Sequence, residues 1–426
     1  MTRYIYTLLL ALLAICGAQA QETVEIYDDA TQEDSLMADT FAVEQHALPW
    51  EHNLRLHLDK LLEHDMFNTS QVALMVYDLD ADSTLYAHNE RQLMRPASTM
   101  KVLTAIAAID KLGGSYRFKT ELCYTGEVTD GTLAGNIYCV GGFDPRFNND
   151  DMRAFVEGIR KMGVDTIRGN IYADKSMKDC DSLGSGWCWD DDNPILSPLL
   201  VSRKNVFVKR FADELRESGI VVEATFGEAR RPEEAYCIVS RFHSIDQILM
   251  KMLKESDNLY AESMFYQLGA SSGSHPATAK NSAAVIERLI SKVGLNPRRY
   301  NIADGSGLSL YNYLSAELEV RFLRYAYRNN NIYLHLHPAL PEAGVDGTLR
   351  TRMRGPFTQG NVFAKTGTVT GVSSLAGYCT AANGHRLAFA IINQGVMHGS
   401  NGRAFQDRVC TCLLYTSDAA DDIVRV

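Results

Sequence analysis

The sequence predicts an α+β protein: an antiparallel sheet flanked by helices, with a mostly β insertion early in the chain. Three observations predict it. A helical segment is followed by two short strands near the start of the patterned region; helical periodicity returns through the middle; and alternating strands followed by a last helix close the chain. Between the first group and the helical middle, residues 115–242 change texture to short β-patterned runs punctuated by Gly and Asp turns.

Taken in order, residues Glu51–Asp65 read as a helix and Gln71–Asp78 as a strand, and a tight turn at Asp80-Ala-Asp-Ser83 leads to a second short strand. Ser98 opens a strongly apolar helix, Val102–Leu112, which Gly113-Gly114 stops. The insertion contains one or more helices among its strands, and its acidic run Asp190–Asp192 reads as a solvated loop. Helical pattern resumes at Ile245–Lys254 and Leu259–Leu268. Strands are expected at Asn361–Thr366, Val372–Cys379 and Arg386–Asn393, the last two joined by the hairpin signal Asn383-Gly384, and a final helix near Arg403.

The chain has 426 residues, 46% of them hydrophobic, enough for a large core and more than one domain. Its formal charge is 42 − 52 = −10, with no long basic run, which argues against nucleic-acid binding. Arg350, Arg352 and Arg354 alternate and read as a solvated strand or loop edge.

Residues 1–20 read as a secretory signal peptide: Arg3 begins it, Ile5–Ile15 is too short to span a bilayer, and Ala18-Gln19-Ala20 offers a cleavage site. Ile15 is too bulky to precede a lipidated Cys16. The expected location is the periplasm or cell envelope, after an acidic, aperiodic leader at 21–45. Residues 412–426 resemble the translation of a transposon-derived sequencing adapter and read as an assembly scar that replaces the native end. An exported protein can oxidise its cysteines. Cys123 and Cys139 flank the turn Thr129-Asp130-Gly131-Thr132 and are expected to face each other; Cys180 and Cys188 form a second close pair.

The chemistry rests on three short boxes in order: Ser98-Thr-Met-Lys101, Ser256-Asp-Asn258 and Lys365-Thr-Gly367. Ser98 and Lys101, three apart at a helix start, share one face, where the positive end of the helix dipole suits a developing oxyanion. A lysine sunk there beside a second lysine loses its proton near neutral pH and serves as base. Ser256 and Asn258 lie at a break between helices, where a hydroxyl can relay a proton and an amide can hold a carbonyl. Lys365 and Thr366, on a strand, suit a terminal carboxylate, and Gly367 admits a substrate backbone. Each box alone reads as a cap, a loop or an edge lysine; together and in order they point to acyl-serine chemistry.

On these boxes the chain resembles the D-alanyl-D-alanine carboxypeptidases/endopeptidases of the class C type low-molecular-mass penicillin-binding proteins. The resemblance runs over roughly 45–411. It includes Arg95-Pro-Ala-Ser-Thr-Met-Lys101, Gly141-Gly-Phe-Asp-Pro145, Asp304-Gly-Ser-Gly-Leu-Ser309, Val345-Asp-Gly-Thr-Leu349 and the run Ala364–Ser373. It implies a β-lactamase/transpeptidase-like domain over 46–114 and 243–411, with inserted domains at 115–242; the spacing 256 − 98 = 158 suits that arrangement. It further implies Ser98 as acylated nucleophile, Lys101 as base, and Ser256, Asn258 and Lys365 as proton relay and substrate holders. Thr366 would bind the substrate's terminal carboxylate, and the amides of Ser98 and Thr368 would form the oxyanion hole. Peptidoglycan stem peptides are the expected substrate and β-lactams the covalent inhibitors, with no metal or cofactor. One position departs: Leu310 stands where the family often has a basic residue, leaving Asp144 either to meet a substrate amino group or to cap its own turn.

Rival readings fare worse. A class A β-lactamase needs Glu-x-x-x-Asn after the second box, and none follows Asn258. Gly269-Ala-Ser-Ser-Gly273 follows a helix rather than the strand that a nucleophile elbow needs. His335-Leu-His337 has no third metal ligand at useful spacing and reads as alternating histidines on a strand. A non-catalytic wall-binding or penicillin-sensing module on the same fold is the non-enzyme alternative.

Overall fold

The computed structural model describes residues 50–415; the segments read as signal peptide and leader, and residues 416–426, lie outside them. From Leu54 onward the described chain forms one compact unit.

A first five-stranded sheet has the order β2-β1-β10-β9-β8, every pairing antiparallel: β1 Gln71–Asp78, β2 Ser83–His88, β8 Phe363–Val369, β9 Val372–Thr380 and β10 Arg386–Gln394. Its central strands are buried almost without interruption, as expected when both faces are covered. On one face Ala73, Met75, Tyr77, Ala376, Tyr378, Ala388, Ala390 and Ile392 join a core with α2 (Met100–Leu112), α6 (Asn258–Ala270) and α8 (Ala316–Tyr327). On the other, Gln406 of α10 (Gly399–Tyr415) donates to Ser373 Oγ at 3.0 Å and Asn393 Oδ1 at 3.3 Å.

Two helices lie at the centre. In α2 every residue from Met100 to Ile109 is buried, and in α6 every residue from Leu259 to Gly269. A helix that is buried all round sits inside a protein, not on it. The packing of these two helices fixes their N-termini, where the first two boxes lie.

The second sheet, order β6-β5-β4-β3-β7, is built from β3 Arg117–Thr129, β4 Thr132–Val140, β5 Thr166–Asp174, β6 Val221–Glu228 and β7 Tyr236–Ser244. Two helices lie among its strands. The pairings β4–β5 and β5–β6 are parallel, and parallel neighbours need crossovers, here made by α3 (Asn149–Lys161) and α4 (Phe207–Glu217). Both helices are strongly amphipathic and close a separate core around Phe147, Phe155, Phe207 and Phe211. The chain leaves the first sheet's helices into β3 and returns from β7 straight into α5 (Ile245–Lys254), with Arg117 opposite Ser244 at the neck.

Several expectations need correction. The turn at Asp130-Gly131 has positive φ at both residues, as a two-residue hairpin requires. Its register, however, sets Cys123 opposite Tyr138 and Cys139 opposite Leu122. Because side chains alternate, the expected Cys123–Cys139 pair falls on opposite faces. Cys180 and Cys188 are not joined. His335 and His337 lie on α9 (Asn330–Ala339), not a strand. Two residues apart on a helix they point different ways: His335 Nδ1 meets Asp246 Oδ1 at 2.6 Å, and the His337 ring packs on Phe363. Among the described residues no metal-ligating cluster forms. Arg352 is not solvated but paired with Asp407 at 2.6 Å, while Arg350 and Arg354 are exposed. The first helix, α1, spans Trp50–Leu62; the third-box strand runs to Val369; and α10 begins at Gly399, burying Leu413 and Leu414 near its end.

Candidate active site

Ser98 occupies the single 3-10 turn Ala97–Thr99 that leads into α2, and Lys101 the first turn of that helix. Ala97 is held at φ 49°, a left-handed conformation that a non-glycine residue adopts only when its surroundings insist. The insistence comes from two neighbours. A Cβ on Gly307 (φ 82°) would lie 1.8 Å from the Ala97 carbonyl oxygen, and a Cβ on Gly367 would lie 2.9 Å from the Ser98 nitrogen. The Asp304–Ser309 turn and strand β8 are therefore pressed directly against the first box, and glycine permits both approaches.

The three boxes converge. Lys101 Nζ donates to Ser98 Oγ at 3.0 Å, Asn258 Oδ1 at 2.8 Å and the Ser306 carbonyl at 2.8 Å. Lys365 Nζ donates to Ser256 Oγ at 2.9 Å and the Thr366 carbonyl at 2.6 Å. Ser256, at φ 59°, lies in the break between α5 and α6, and Asp257 caps α6 by accepting from Tyr260 N. Thr366 Oγ1 donates to Thr348 Oγ1 at 2.7 Å. Ser98, Ser256, Asn258 and Thr366 are partly exposed and Thr368 is exposed, whereas both lysines are fully buried. Polar hydroxyls and an amide thus face solvent, with two amines sealed behind them.

Burial sets the electrostatics. It lowers Lys101 to about 8, against the opposing charges of Asp304, Glu262 and Asp257. Lys365 is driven well below the ordinary lysine range by burial first and the charge of Lys101 second. A neutral amine beside Ser98 is therefore accessible near physiological pH.

Two buried glutamates that support the site, Glu262 and Glu319, escaped the sequence reading. Glu262, one turn beyond Asn258 on α6, accepts from Ser306 N at 2.8 Å and Gly305 N at 3.1 Å; burial, then Asp304, raises it to about 8. Its spacing of four from Asn258 was the available signal. Asp304 ties its turn together, accepting from Gly307 N, Ser309 N, Asn312 Nδ2 and Trp187 Nε1. Buried Glu319 lies 2.5 Å from Thr99 Oγ1, and nothing in the local sequence announces it. Asp144 is enclosed: Oδ2 meets His243 Nδ1 at 2.7 Å and Oδ1 accepts from Arg146 N at 3.0 Å, so its carboxylate caps its own turn. Leu310 is half-buried, and its amide donates to Gly186 O.

A serine hydroxyl touching a buried amine, with a second serine–lysine pair beside it, is an arrangement that suits a serine enzyme of the acyl-transfer class. The chain belongs to the D-Ala-D-Ala carboxypeptidase 3 (S13) family, whose pattern matches residues 54–200 and 198–413. It is 25% identical to D-alanyl-D-alanine carboxypeptidase DacB of Haemophilus influenzae over 415 residues, covering 78% of this chain and 86% of that one. It is 26% identical to the D-alanyl-D-alanine carboxypeptidase of Actinomadura sp. (strain R39), covering 84% of each. The crystal structure of penicillin binding protein 4 from Haemophilus influenzae shares the fold, with a TM-score of 0.76 at 23% identity, covering 83% of this chain and 97% of that one.

Proposed function

We propose that this chain is an exported D,D-peptidase of the bacterial wall. It cleaves the terminal D-Ala-D-Ala bond of peptidoglycan stem peptides, the D-alanyl cross-link between stems, or both, through an ester on Ser98. The observation that carries this reading is the contact of Lys101 Nζ with both Ser98 Oγ and Asn258 Oδ1.

In this reading, neutral Lys101 takes the Ser98 proton as Oγ attacks the carbonyl carbon of the penultimate D-alanine. The amides of Ser98 and Thr368 receive the oxyanion. Ser256, bonded to Lys365, passes a proton to the leaving nitrogen. Water then hydrolyses the ester, with Lys101 as base again. The substrate runs along β8, an edge strand of its sheet among the described residues. Asn258 holds the substrate amide, and Thr366 and Thr368 meet the terminal carboxylate. β-Lactams acylate the same serine and are released slowly, because no Glu-x-x-x-Asn follows the second box.

The test uses purified muropeptide monomers and cross-linked dimers with wild type and Ser98→Ala, read by chromatography. Loss of terminal D-alanine from monomers marks a carboxypeptidase, and conversion of dimers to monomers marks an endopeptidase. Ser98→Ala should abolish both, together with labelling by a fluorescent penicillin. Cleavage that survives Ser98→Ala, or rapid turnover of a chromogenic cephalosporin by wild type, would defeat the proposal.

A further inference from the structure

We propose that Cys123 and Cys237 form a disulfide between β3 and β7, at the end of that strand pair far from the neck. The argument begins with register. Leu122 of β3 faces Val239 of β7, but the next residue, Cys123, faces Cys237, because Ile238 is an extra residue bulged out of β7. Without that bulge Cys123 would face Ile238. With it the two cysteines stand directly opposite and on the same face. Directly opposed residues of antiparallel strands have Cα atoms about 4.5–5.5 Å apart, inside the span of about 4.4–6.8 Å that a disulfide bridges. Each sulfur is held in the gap by neighbours. Arg231 Nη1 lies 3.7 Å from Cys123 Sγ, while Cys237 Sγ lies 3.4 Å from Ser240 Oγ and 3.7 Å from Glu121 Oε1. Burial raises the Cys123 thiol to about 11, with the facing Cys237 adding to the rise.

Accessibility sets the order of events. Cys237 is exposed and Cys123 buried. The Cys237 thiolate attacks a disulfide-bonded oxidant such as oxidised glutathione, forming a mixed disulfide and expelling one thiolate. Cys123 then gives up its proton and attacks Cys237 Sγ, expelling the second thiolate; the expelled thiolates take up the two protons. Two protein thiols are oxidised to one disulfide, and one oxidant disulfide is reduced to two thiols. The bond clamps the start of β7, which is an edge strand among the described residues and leads at its other end into the helix before Ser256.

The full chain, reduced and then incubated with oxidised glutathione, tests this. Trypsin with glutamyl endopeptidase cuts after Glu127, separating Cys123 from Cys139, and after Glu234, isolating Cys237. The expected product is a Cys123–Cys237 linked peptide that dithiothreitol dissolves, with Cys139 alkylated only after unfolding. Oxidation should raise the Tm of wild type by several degrees and leave Cys237→Ser unmoved. Cys237 found as a free thiol, as a stable glutathione adduct, or joined to any cysteine other than Cys123 overturns the proposal.

Discussion

Arg203 places Nη1 2.5 Å from Oδ2 of Asp257, the middle residue of the second box, from a loop between β5 and α4 in which both Ser202 and Arg203 hold positive φ. The region carrying the second sheet therefore reaches back to neutralise a carboxylate that also caps α6. That carboxylate is one of three, with Asp304 and Glu262, whose charge favours protonated Lys101, while burial works against it. Arg203→Ala should leave Asp257 uncompensated and raise the Lys101 pKa. The rising limb of the acylation rate, expected to follow Lys101 at about 8 in wild type, should move to higher pH by roughly a few tenths of a unit, since the arginine is half-exposed and solvent screens much of its field. Acylation by a fluorescent penicillin, followed against pH, checks it; a fall in rate at unchanged midpoint would mean that Arg203 only stiffens the turn.

Lys365→Gln should lower acylation by about 10²–10⁴-fold, the range expected when a proton-relaying group is lost. Glutamine is neutral and one bond shorter than lysine, so it fits the buried space beside Ser256, which Lys365 contacts at 2.9 Å, and the fold should persist. Single-turnover labelling beside an unchanged Tm separates loss of chemistry from loss of structure.

Gly307→Ala tests the pressure on the first box. Its Cβ would stand 1.8 Å from the Ala97 carbonyl oxygen and the backbone is at φ 82°, so the turn must shift. A cost of about 1–3 kcal/mol is expected from the backbone conformation alone. Penicillin acylation should fall further than stability does, because Ser98 follows the displaced residue. Denaturant unfolding and labelling rates measured on one preparation would show whether the two effects part.

Glu319 makes stability depend on pH. Burial raises its carboxyl to about 8, so it is protonated in the fold at neutral pH and can donate to Thr99, while Thr99 Oγ1 donates to Pro96 O at 2.7 Å. The sign follows from linkage. Below the unfolded value of 4.5 both states hold the proton and no penalty exists; between 4.5 and about 8 only the unfolded state ionises, so stability is lost as pH rises. Glu319→Gln removes that loss and should be more stable than wild type at pH 8 by on the order of a few kcal/mol, the gap closing toward pH 4.5. Paired denaturant titrations at the two pH values decide it.

The first sheet was legible because its strands are short, apolar and separated by strong turn signals such as Asn383-Gly384. The three boxes were legible through their order and local structure, since each alone reads as a cap, a loop or an edge lysine. Glu262 and Glu319 were not, since a buried carboxylate looks like any helical glutamate until its neighbours are known. The direction of the second sheet's strands was not legible, because the strands give no local sign of it. Cys123 and Cys139 failed by one residue: symmetry about the turn fixes the distance along the strands, but the pleat decides the face.

At the neck of the second sheet Arg117 lies opposite Ser244, so everything between them begins and ends about one strand spacing apart, roughly 5 Å. To the chain that carries Ser98, Ser256 and Lys365, a segment with its own sheet and core is topologically equivalent to a tight hairpin. Such a segment can lengthen, shorten or be exchanged between related proteins without re-threading the strands around it. Its ties to the rest of the chain are then made by the loops that reach back, such as the one bearing Arg203.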